Sequence, residues 1–416
     1  MTAGEPHASP IPRGFKPGPF SYHEVIELEI DTLTNMAQGL GRHDGWVVMV
    51  RYALPGERIK ARVYRNDKNF SEADLMEVIR PSPDRIEPPC RVFGQCGGCQ
   101  YQHFRYESQL EWKTRQVSEL LWHMARIDAP VLPAIPSPKQ YGYRSKLTPH
   151  FPKPKKGRPI QIGFLRPGSR SSYVEIEGCP LASEEMNKRL AELRAEVQER
   201  HAETPYKKGA TLLIREHREG VTTDPKSIIS EKVGDIVLSF PAGEFFQNNP
   251  SILPQFTDYV REKASQGGTS NLVDAYCGSG LFCLTAASRF NQVVGIEVSE
   301  FSVQHAIANA NANGLSNARF ILGDAASIFS QVEFEGSDAA VIIDPPRKGA
   351  SEDFLNQLIA FRPRRVVYVS CNPATQMRDL GILTKGGYEI EEVQPFDLFP
   401  QTKHLECVVT LRQKKG

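Results

Sequence analysis

Cys371 ends the apolar run RVVYVS in the motif Ser370-Cys371-Asn372-Pro373. A helix is expected over 373–381, and a thiol at a helix N-terminus feels the positive end of the dipole and ionises more easily. A lone cysteine is more often a buried structural residue. Here the strand-end position and the Asn-Pro that follows point instead to a nucleophile. A covalent adduct on such a thiol needs a base to complete the turnover. Glu406, in His404-Leu405-Glu406-Cys407 at the start of the final strand, is the candidate, with His404 as the alternative.

A second constellation reads as a cofactor pocket. LVDAY runs into Cys277-Gly278-Ser279-Gly280 ahead of a helix, and glycines there let the backbone approach a ligand closely. Glu297 ends the next strand, where a carboxylate can accept hydrogen bonds from ribose hydroxyls. Taken alone, the pattern fits a dinucleotide or S-adenosylmethionine. Cys283 stands where the dinucleotide fingerprint has its third glycine. Asp324, in FILGDA, suits a contact to an adenine amino group. Asp344-Pro345-Pro346-Arg347 closes the fourth strand. Two prolines cannot continue a ladder, so they make a rigid corner that aims Asp344 into the same pocket.

The third constellation is Cys90, Cys96 and Cys99, a close-set trio that signals a metal site. The chain is long and MTAGEPHASP has neither a basic nor an apolar signal region, so its eight cysteines read as reduced thiols, ligands or nucleophiles of a cytoplasmic protein. No run approaches the roughly 18 apolar residues of a membrane span, so no membrane partner is expected.

These residues need a frame. The chain has 416 residues and a net charge of +1, which calls for two or three domains and names no partner by its overall balance. Residues 1–20 hold five prolines and read as a disordered lead-in. Residues 21–82 read as all-β, with VIELEI, GWVVMVRYAL and RIKARVYR separated by glycines and Pro55-Gly56. Residues 83–235 form a central α+β domain. In it a helix near 104–126 lines up Leu110, Val117, Leu121 and Met124, and another near 183–200 lines up Met186, Leu190, Leu193 and Val197. From Asp128 to Glu175 no acid intervenes among nine Lys and Arg residues, interleaved with Tyr141, Tyr143, Phe151 and Phe164, a footprint for a polyanion. From 236 to 416 short apolar runs alternate with helical stretches, the pattern of a doubly wound α/β domain.

Six motifs in order, GEFFQNNP, VDAYCGSGLF, GIEVS, IIDPPRKG, SCNP and FPQTKHLE, make the chain resemble the RNA (uracil-5-)-methyltransferase family over residues 22–416. The resemblance implies a class I methyltransferase domain using S-adenosylmethionine, and structured RNA, a tRNA or an rRNA, as partner. It implies Cys371 as nucleophile, Glu406 as base, and Gln247, Tyr276, Glu297 and Asp344 around the cofactor and target base. Carbon 5 of uracil is too weak a nucleophile to take a methyl group directly. Thiolate addition at carbon 6 loads electron density onto it. Residues 22–80 resemble the family's TRAM domain, an OB-like barrel that grips RNA, with Arg58, Lys60, Arg62, Arg65 and Lys68 as phosphate contacts. Cys179 completes, by resemblance to the rRNA enzymes, a four-thiolate set for a 4Fe–4S cluster, with zinc as the other metal. KLTPHF and GEFFQNNPSILP resemble the tRNA enzymes instead, so the RNA is left open. A monomer is expected. The competing readings are an RNA cytosine-5 methyltransferase and a non-catalytic RNA-binding protein. Intact Cys371, Glu406 and Asp344 argue against the second.

Overall fold

The computed structural model describes residues 11–155, 157–323 and 328–414. Asp324, expected at the adenine, therefore lies outside the described residues. The chain divides into two compact units, Met1–Pro88 with Gln100–Gln109, and Pro89–Cys99 with Leu110–Gly416.

In the first unit, strands β1 (Val25–Leu33), β2 (Gln38–His43), β3 (Trp46–Arg51), β4 (Arg58–Asn66) and β5 (Ser71–Arg80) close a barrel in the order β1-β2-β3-β5-β4. Alternation sends Ile26, Leu28 and Ile30 inward with Ile59, Ala61 and Val63, the period of two that a barrel wall requires. Gly41 is obligatory, because a Cβ there would lie 1.9 Å from the Glu29 carbonyl oxygen. Part of the expected lead-in belongs to this barrel. Phe20 is buried, and Asn66 Nδ2 donates to the carbonyls of Lys16 (3.0 Å) and Phe20 (2.8 Å).

The barrel's basic residues differ from expectation. Cross-strand register sets Lys60 beside Glu77 and Arg62 beside Asp74, with ion pairs of 2.9 and 3.2 Å, and Arg58 reaches Glu27 diagonally across β1 at 3.1 Å. Arg65 pairs with Asp67 and Glu72. Of the five expected phosphate contacts, Lys68 alone makes no ion pair among the described residues. Each exposed pair is worth about 1 kcal/mol or less, but together they neutralise this face.

The second unit begins with the loop of three cysteines and resumes at Leu110 within helix α1 (Tyr106–Leu120). A π-turn at Leu121–Ala125 follows, which slips the 3.6-residue phase, so Val117 and Leu121 are buried while Met124 of the expected stripe is exposed. Four short strands, β6 (Lys146–Leu147), β7 (His150–Phe151), β8 (Gly163–Leu165) and β9 (Tyr173–Glu175), precede α2 (Glu184–Glu203). Ser183 caps that helix by accepting from Met186 N (3.2 Å), and all four expected core residues of α2 are buried. Strands β10 (Ala210–Thr211), β11 (Ile214–His217), β12 (Gly220–Thr222), β13 (Ile228–Val233) and β14 (Ile236–Pro241) lead to α3 (Leu253–Ser265).

The catalytic sheet has seven strands. These are β15 (Asn271–Ala275), β16 (Gln292–Glu297), β17 (Ala318–Leu322), β18 (Ala339–Ile343), β19 (Arg365–Ser370), β20 (Tyr388–Phe396) and β21 (Glu406–Gln413). Their order is β17-β16-β15-β18-β19-β21-β20, and only β21 and β20 run antiparallel to their neighbours. Helices α4 (Leu281–Ala286), α5 (Glu300–Ala312), α6 (Glu352–Phe361) and α7 (Pro373–Lys385) connect the parallel strands and cover both faces. This is the doubly wound architecture that the alternating pattern predicts, and it fits the class I methyltransferase domain that the resemblance implies. No helix among the described residues is long and apolar enough to cross a membrane.

One buried ion pair ties α1 to the end of the sheet. Lys113 Nζ lies 2.6 Å from Asp397 Oδ1, with both side chains fully buried, and also donates to the carbonyls of His404 (3.0 Å) and Phe399 (3.4 Å). It thereby holds the loop that delivers Glu406. Removing one partner leaves a bare charge in the interior, so Lys113→Ala should cost about 3–5 kcal/mol in urea unfolding. A paired Lys113→Met, Asp397→Leu change should recover most of that loss. A single variant as stable as the parent would rule the pair out as a structural tie.

Candidate active site

Parallel strands all end at one edge, and the strand-end residues expected at the site meet there. Tyr276 follows β15, Glu297 ends β16, Asp344 follows β18 and Cys371 follows β19. Glu406 reaches the same edge by the opposite route. Because β21 runs antiparallel, its first residue lies where the others have their last. Ser370 pairs with Cys407, so the next residues out, Cys371 and Glu406, face each other across the strand ends.

The electrostatic couplings run among these same residues. Burial pushes the Cys371 thiol up to about 11, and the carboxylates of Glu406 and Asp344 push the same way. The Arg347 guanidinium, by charge and hydrogen bond, opposes them. Glu406 is buried and held well above the usual carboxylate range, first by burial and then by Asp344, again against Arg347. Asp344 is raised by burial. His404 is pushed down to about 4 by burial and by the nearby cations Arg347, Lys403, Lys113 and Arg144. It is neutral at pH 7, and its backbone is pinned by Lys113.

The Asp-Pro-Pro-Arg corner is clamped from α7. Asn372 Nδ2 donates to the Arg347 carbonyl (2.8 Å), and Thr375 Oγ1 donates to it at 3.2 Å. Buried Asp379 accepts from Ala350 N (2.9 Å) and from the Tyr368 hydroxyl (2.6 Å). Gly349 has φ +81°, and a Cβ there would meet Asp379 Oδ2 at 2.7 Å, so this clamp requires glycine.

The cofactor side is built from a strained turn. Tyr276 has φ +67°, a left-handed conformation that is costly for an aromatic residue, and its ring lies 5.2 Å from Phe354. Gly278 and Gly280 follow with φ +55° and +99°. Glu297 Oε2 accepts from Gly278 N (3.1 Å), and Oε1 accepts from Val298 N (2.9 Å) and Ser299 N (3.0 Å). The carboxylate thus anchors the glycine turn. Asp274 accepts from Cys283 N (2.9 Å) with one oxygen, and its other oxygen is buried without a partner. Burial, then the charges of Asp344 and Glu297, push Asp274 up to about 8. Four carboxylates therefore crowd this edge, and Arg347 acts on Glu406 among them. A positively charged sulfonium or amine fits such a site.

Gln247 is buried in the segment between β14 and α3, whose neighbours are tied elsewhere. Asn248 meets Arg215 (3.3 Å), and Asn249 donates to Ser137 Oγ and the Leu398 carbonyl. Among the described residues, Gln247 makes no side-chain hydrogen bond to the strand-end residues. The sequence reading assigned no role to Arg347, Asp274, Asp379 or Lys113. Arg347 and Asp274 were legible as charges at strand ends, whereas Lys113 and Asp379 carry no local signal.

All four candidate metal ligands are partly exposed cysteines of the second unit. Burial and then Cys90 raise Cys96, while the Gly98 amide (3.5 Å) and Arg144 lower it. Cys179 is raised by burial and by Cys96. Asn187 on α2 holds its backbone, accepting from Cys179 N at 2.7 Å. The thiols feel one another, yet among the described residues no group of three or more His, Cys, Asp or Glu is arranged as a metal site.

Because Arg347 is the cation that eases ionisation of Cys371, Arg347→Gln should slow iodoacetamide labelling of Cys371 at every pH. In the parent, labelling should rise about tenfold per pH unit from roughly pH 8 to pH 10, tracking the thiolate fraction. Peptide mass spectrometry reads both. A rate already level at neutral pH would contradict the raised thiol.

The family model described as tRNA (Uracil-5-)-methyltransferase matches residues 226–414, and the TRAM domain model matches residues 23–76. A tRNA (uracil(54)-C(5))-methyltransferase of Schizosaccharomyces pombe is 43% identical over 419 residues, covering 94% of this chain and 79% of its own. The Saccharomyces cerevisiae protein of the same name is 34% identical, covering 94% and 74%. An uncharacterized RNA methyltransferase of Halalkalibacterium halodurans is 34% identical, covering 95% and 98%. Among solved structures, a Pyrococcus abyssi tRNA (uracil-54, C5)-methyltransferase in complex with S-adenosyl-L-homocysteine superposes with a TM-score of 0.71. It is 25% identical, with 93% and 100% of the two chains covered.

Proposed function

This chain belongs to the tRNA (uracil-5-)-methyltransferase family and is an S-adenosylmethionine-dependent RNA methyltransferase, and we propose that it methylates carbon 5 of uridine 54 in tRNA through a covalent adduct on Cys371. The observation that carries the mechanism is the antiparallel register that sets Cys371 opposite Glu406 beside Asp344. The tRNA assignment rests on the names of the fungal and archaeal relatives.

The Cys371 thiolate adds to carbon 6 of the uracil, and electron density moves onto carbon 5 and the carbonyl oxygen. Arg347 favours the thiolate over the thiol. S-adenosylmethionine, when bound, supplies the methyl group as an electrophilic sulfonium. The acid-rich edge of Asp274, Glu297 and Asp344, with the turn at Tyr276–Gly280, is the site suited to hold that cation. Once carbon 5 is methylated it still carries its proton. Glu406 removes it, the carbon 5–carbon 6 double bond returns, and the thiolate leaves. A carboxylate with a raised pKa is a fitting base here, because it holds a proton near neutral pH better than an exposed one does. Neutral His404 stands two residues away as the competing base.

Methylation of unmodified tRNA transcript, with U54C transcript and 23S rRNA as comparison, tests the substrate by nucleoside analysis. A product in U54C transcript or only in rRNA would overturn the tRNA assignment. Cys371→Ala should keep S-adenosylhomocysteine binding and lose methyl transfer. Glu406→Gln keeps the shape but cannot take the proton, so it should accumulate a methylated protein–RNA adduct on a denaturing gel. Adding Cys371→Ala should abolish that band. Free turnover by Glu406→Gln would move the base to His404.

The four thiols of Cys90, Cys96, Cys99 and Cys179 support a 4Fe–4S cluster as a tether of the central region, since methyl transfer consumes no electron. Protein purified without oxygen should be brown and hold about four iron and four sulfide per chain. Colourless protein with one zinc would assign the other metal.

A further inference from the structure

The barrel's basic strand is neutralised by its own acids, which leaves open where unpaired positive charge meets the RNA. The central region answers this with a cleft of about 470 Å³, inside the range of about 300–1,000 Å³ typical of ligand pockets. Its walls come from β7 and the residues after it, from β10, and from the loop leading into β9. Lys153 and Arg170 stand at its rim, both exposed and neither in an ion pair among the described residues. The nearest acid in that stretch of chain, Glu175, is engaged by Arg194 at 2.7 Å. Tyr173 and His150 line the interior with their rings 6.1 Å apart. His150 Nδ1 is held by Thr211 Oγ1 at 2.7 Å, so the imidazole orientation is set before any ligand arrives.

The cleft is built rather than incidental. Its floor is Phe151, which is buried, and β10 can lie against it because residue 209 is glycine. A Cβ there would be 2.4 Å from the Phe151 carbonyl oxygen. A second cleft of about 360 Å³ shares Thr211 with the first and runs to Lys146 and Gly243. Lys146 Nζ donates to the carbonyls of Gly243 (2.6 Å) and Glu244 (2.9 Å), and so fixes the start of the GEFFQNNP loop, where Phe245 is 77% exposed. Thr211 therefore lines both the basic cleft and the cleft that reaches a family motif.

We propose that this cleft is a second RNA-contact site, which seats an unpaired nucleotide of the substrate remote from the target uridine. Its backbone phosphate lies between Lys153 and Arg170, and its base lies against Tyr173 and His150. The proposal rests on the reading of RNA as substrate. Two cations without carboxylate partners supply the phosphate attraction, and two rings supply a sequence-tolerant stacking surface. His150 is shifted toward its neutral form by burial, so it offers a ring and a hydrogen-bonding edge more than a charge.

Binding of unmodified tRNA transcript, titrated by fluorescence polarisation across a range of KCl concentrations, tests it. The Lys153→Ala, Arg170→Ala variant should bind about tenfold or more weakly near 0.15 M salt, and its log Kd against log salt slope should fall by about 0.7. Tyr173→Ala should weaken binding about fivefold to a hundredfold with the slope unchanged, and Tyr173→Phe should restore it. Melting temperature and S-adenosylhomocysteine affinity should stay at parental values, since both cations are exposed and in no ion pair among the described residues. A folded double variant with parental Kd and slope would overturn the cleft assignment, even where the parent methylates tRNA normally. A parent that binds tRNA with the predicted slope loss in the variant, yet methylates no uridine, would instead overturn the catalytic reading and leave the cleft standing.

Discussion

The antiparallel pairing of β21 against β19 is the constraint on which the site depends. The five parallel strands β17, β16, β15, β18 and β19 can bring only their last residues to the carboxyl edge. A thiol nucleophile at such an end needs a base facing it, and a further parallel strand would again offer only a C-terminal residue there. Reversing β21 presents its N-terminal residue instead, and the Ser370–Cys407 register sets Glu406 opposite Cys371. Shifting that register by one residue would turn Glu406 to the other face of the sheet. The register is protected by the buried strands on both sides and by Lys113, which grips the loop just ahead of it.

That geometry concentrates like charge. Asp274, Glu297, Asp344 and Glu406 lie round one edge with a thiol among them, and Arg347 is the cation acting on both Cys371 and Glu406. Burial and mutual repulsion raise Cys371, Glu406 and Asp274 above their ordinary values. Such crowding is unfavourable for an isolated protein and favourable for one whose ligand is a cation. The strained Tyr276 and the glycine clamp at Gly349 belong to the same pattern, a scaffold holding groups in positions they would not adopt alone.

The distribution of positive charge follows a different logic in the two units. On the barrel, the pairing of β4 with β1 and β5 sets an acid beside nearly every base, so a strand that is basic in sequence is near neutral in space. In the central region the basic stretch has no acid within it, and its cations at the cleft face solvent. Charge counted along the chain is therefore a poor guide for a strand in a sheet, where the neighbours come from elsewhere. It is a better guide for loops and edge segments.

The sequence by itself determined the strand-end chemistry. Short Val- and Ile-rich runs have to be buried strands, and the strand-end residues have to lie at one edge, so Glu297, Asp344 and Cys371 were legible as one group, and the family resemblance added Tyr276. The all-β start and the α2 stripe of Met186, Leu190, Leu193 and Val197 were legible for the same reason, a hydrophobic period set by local geometry. Only the tertiary structure decided which partners meet across long stretches of chain. Lys113 and Asp397 are 284 residues apart, and neither charge hints that both are fully buried. The neutralised face of β4, the π-turn that exposes Met124, and the role of Arg347 likewise come from neighbours outside the local sequence. The physical reason is that periodicity reports which face of an element is apolar. Burial of a charge, and the charge it meets, depend on packing between elements that no window of sequence contains.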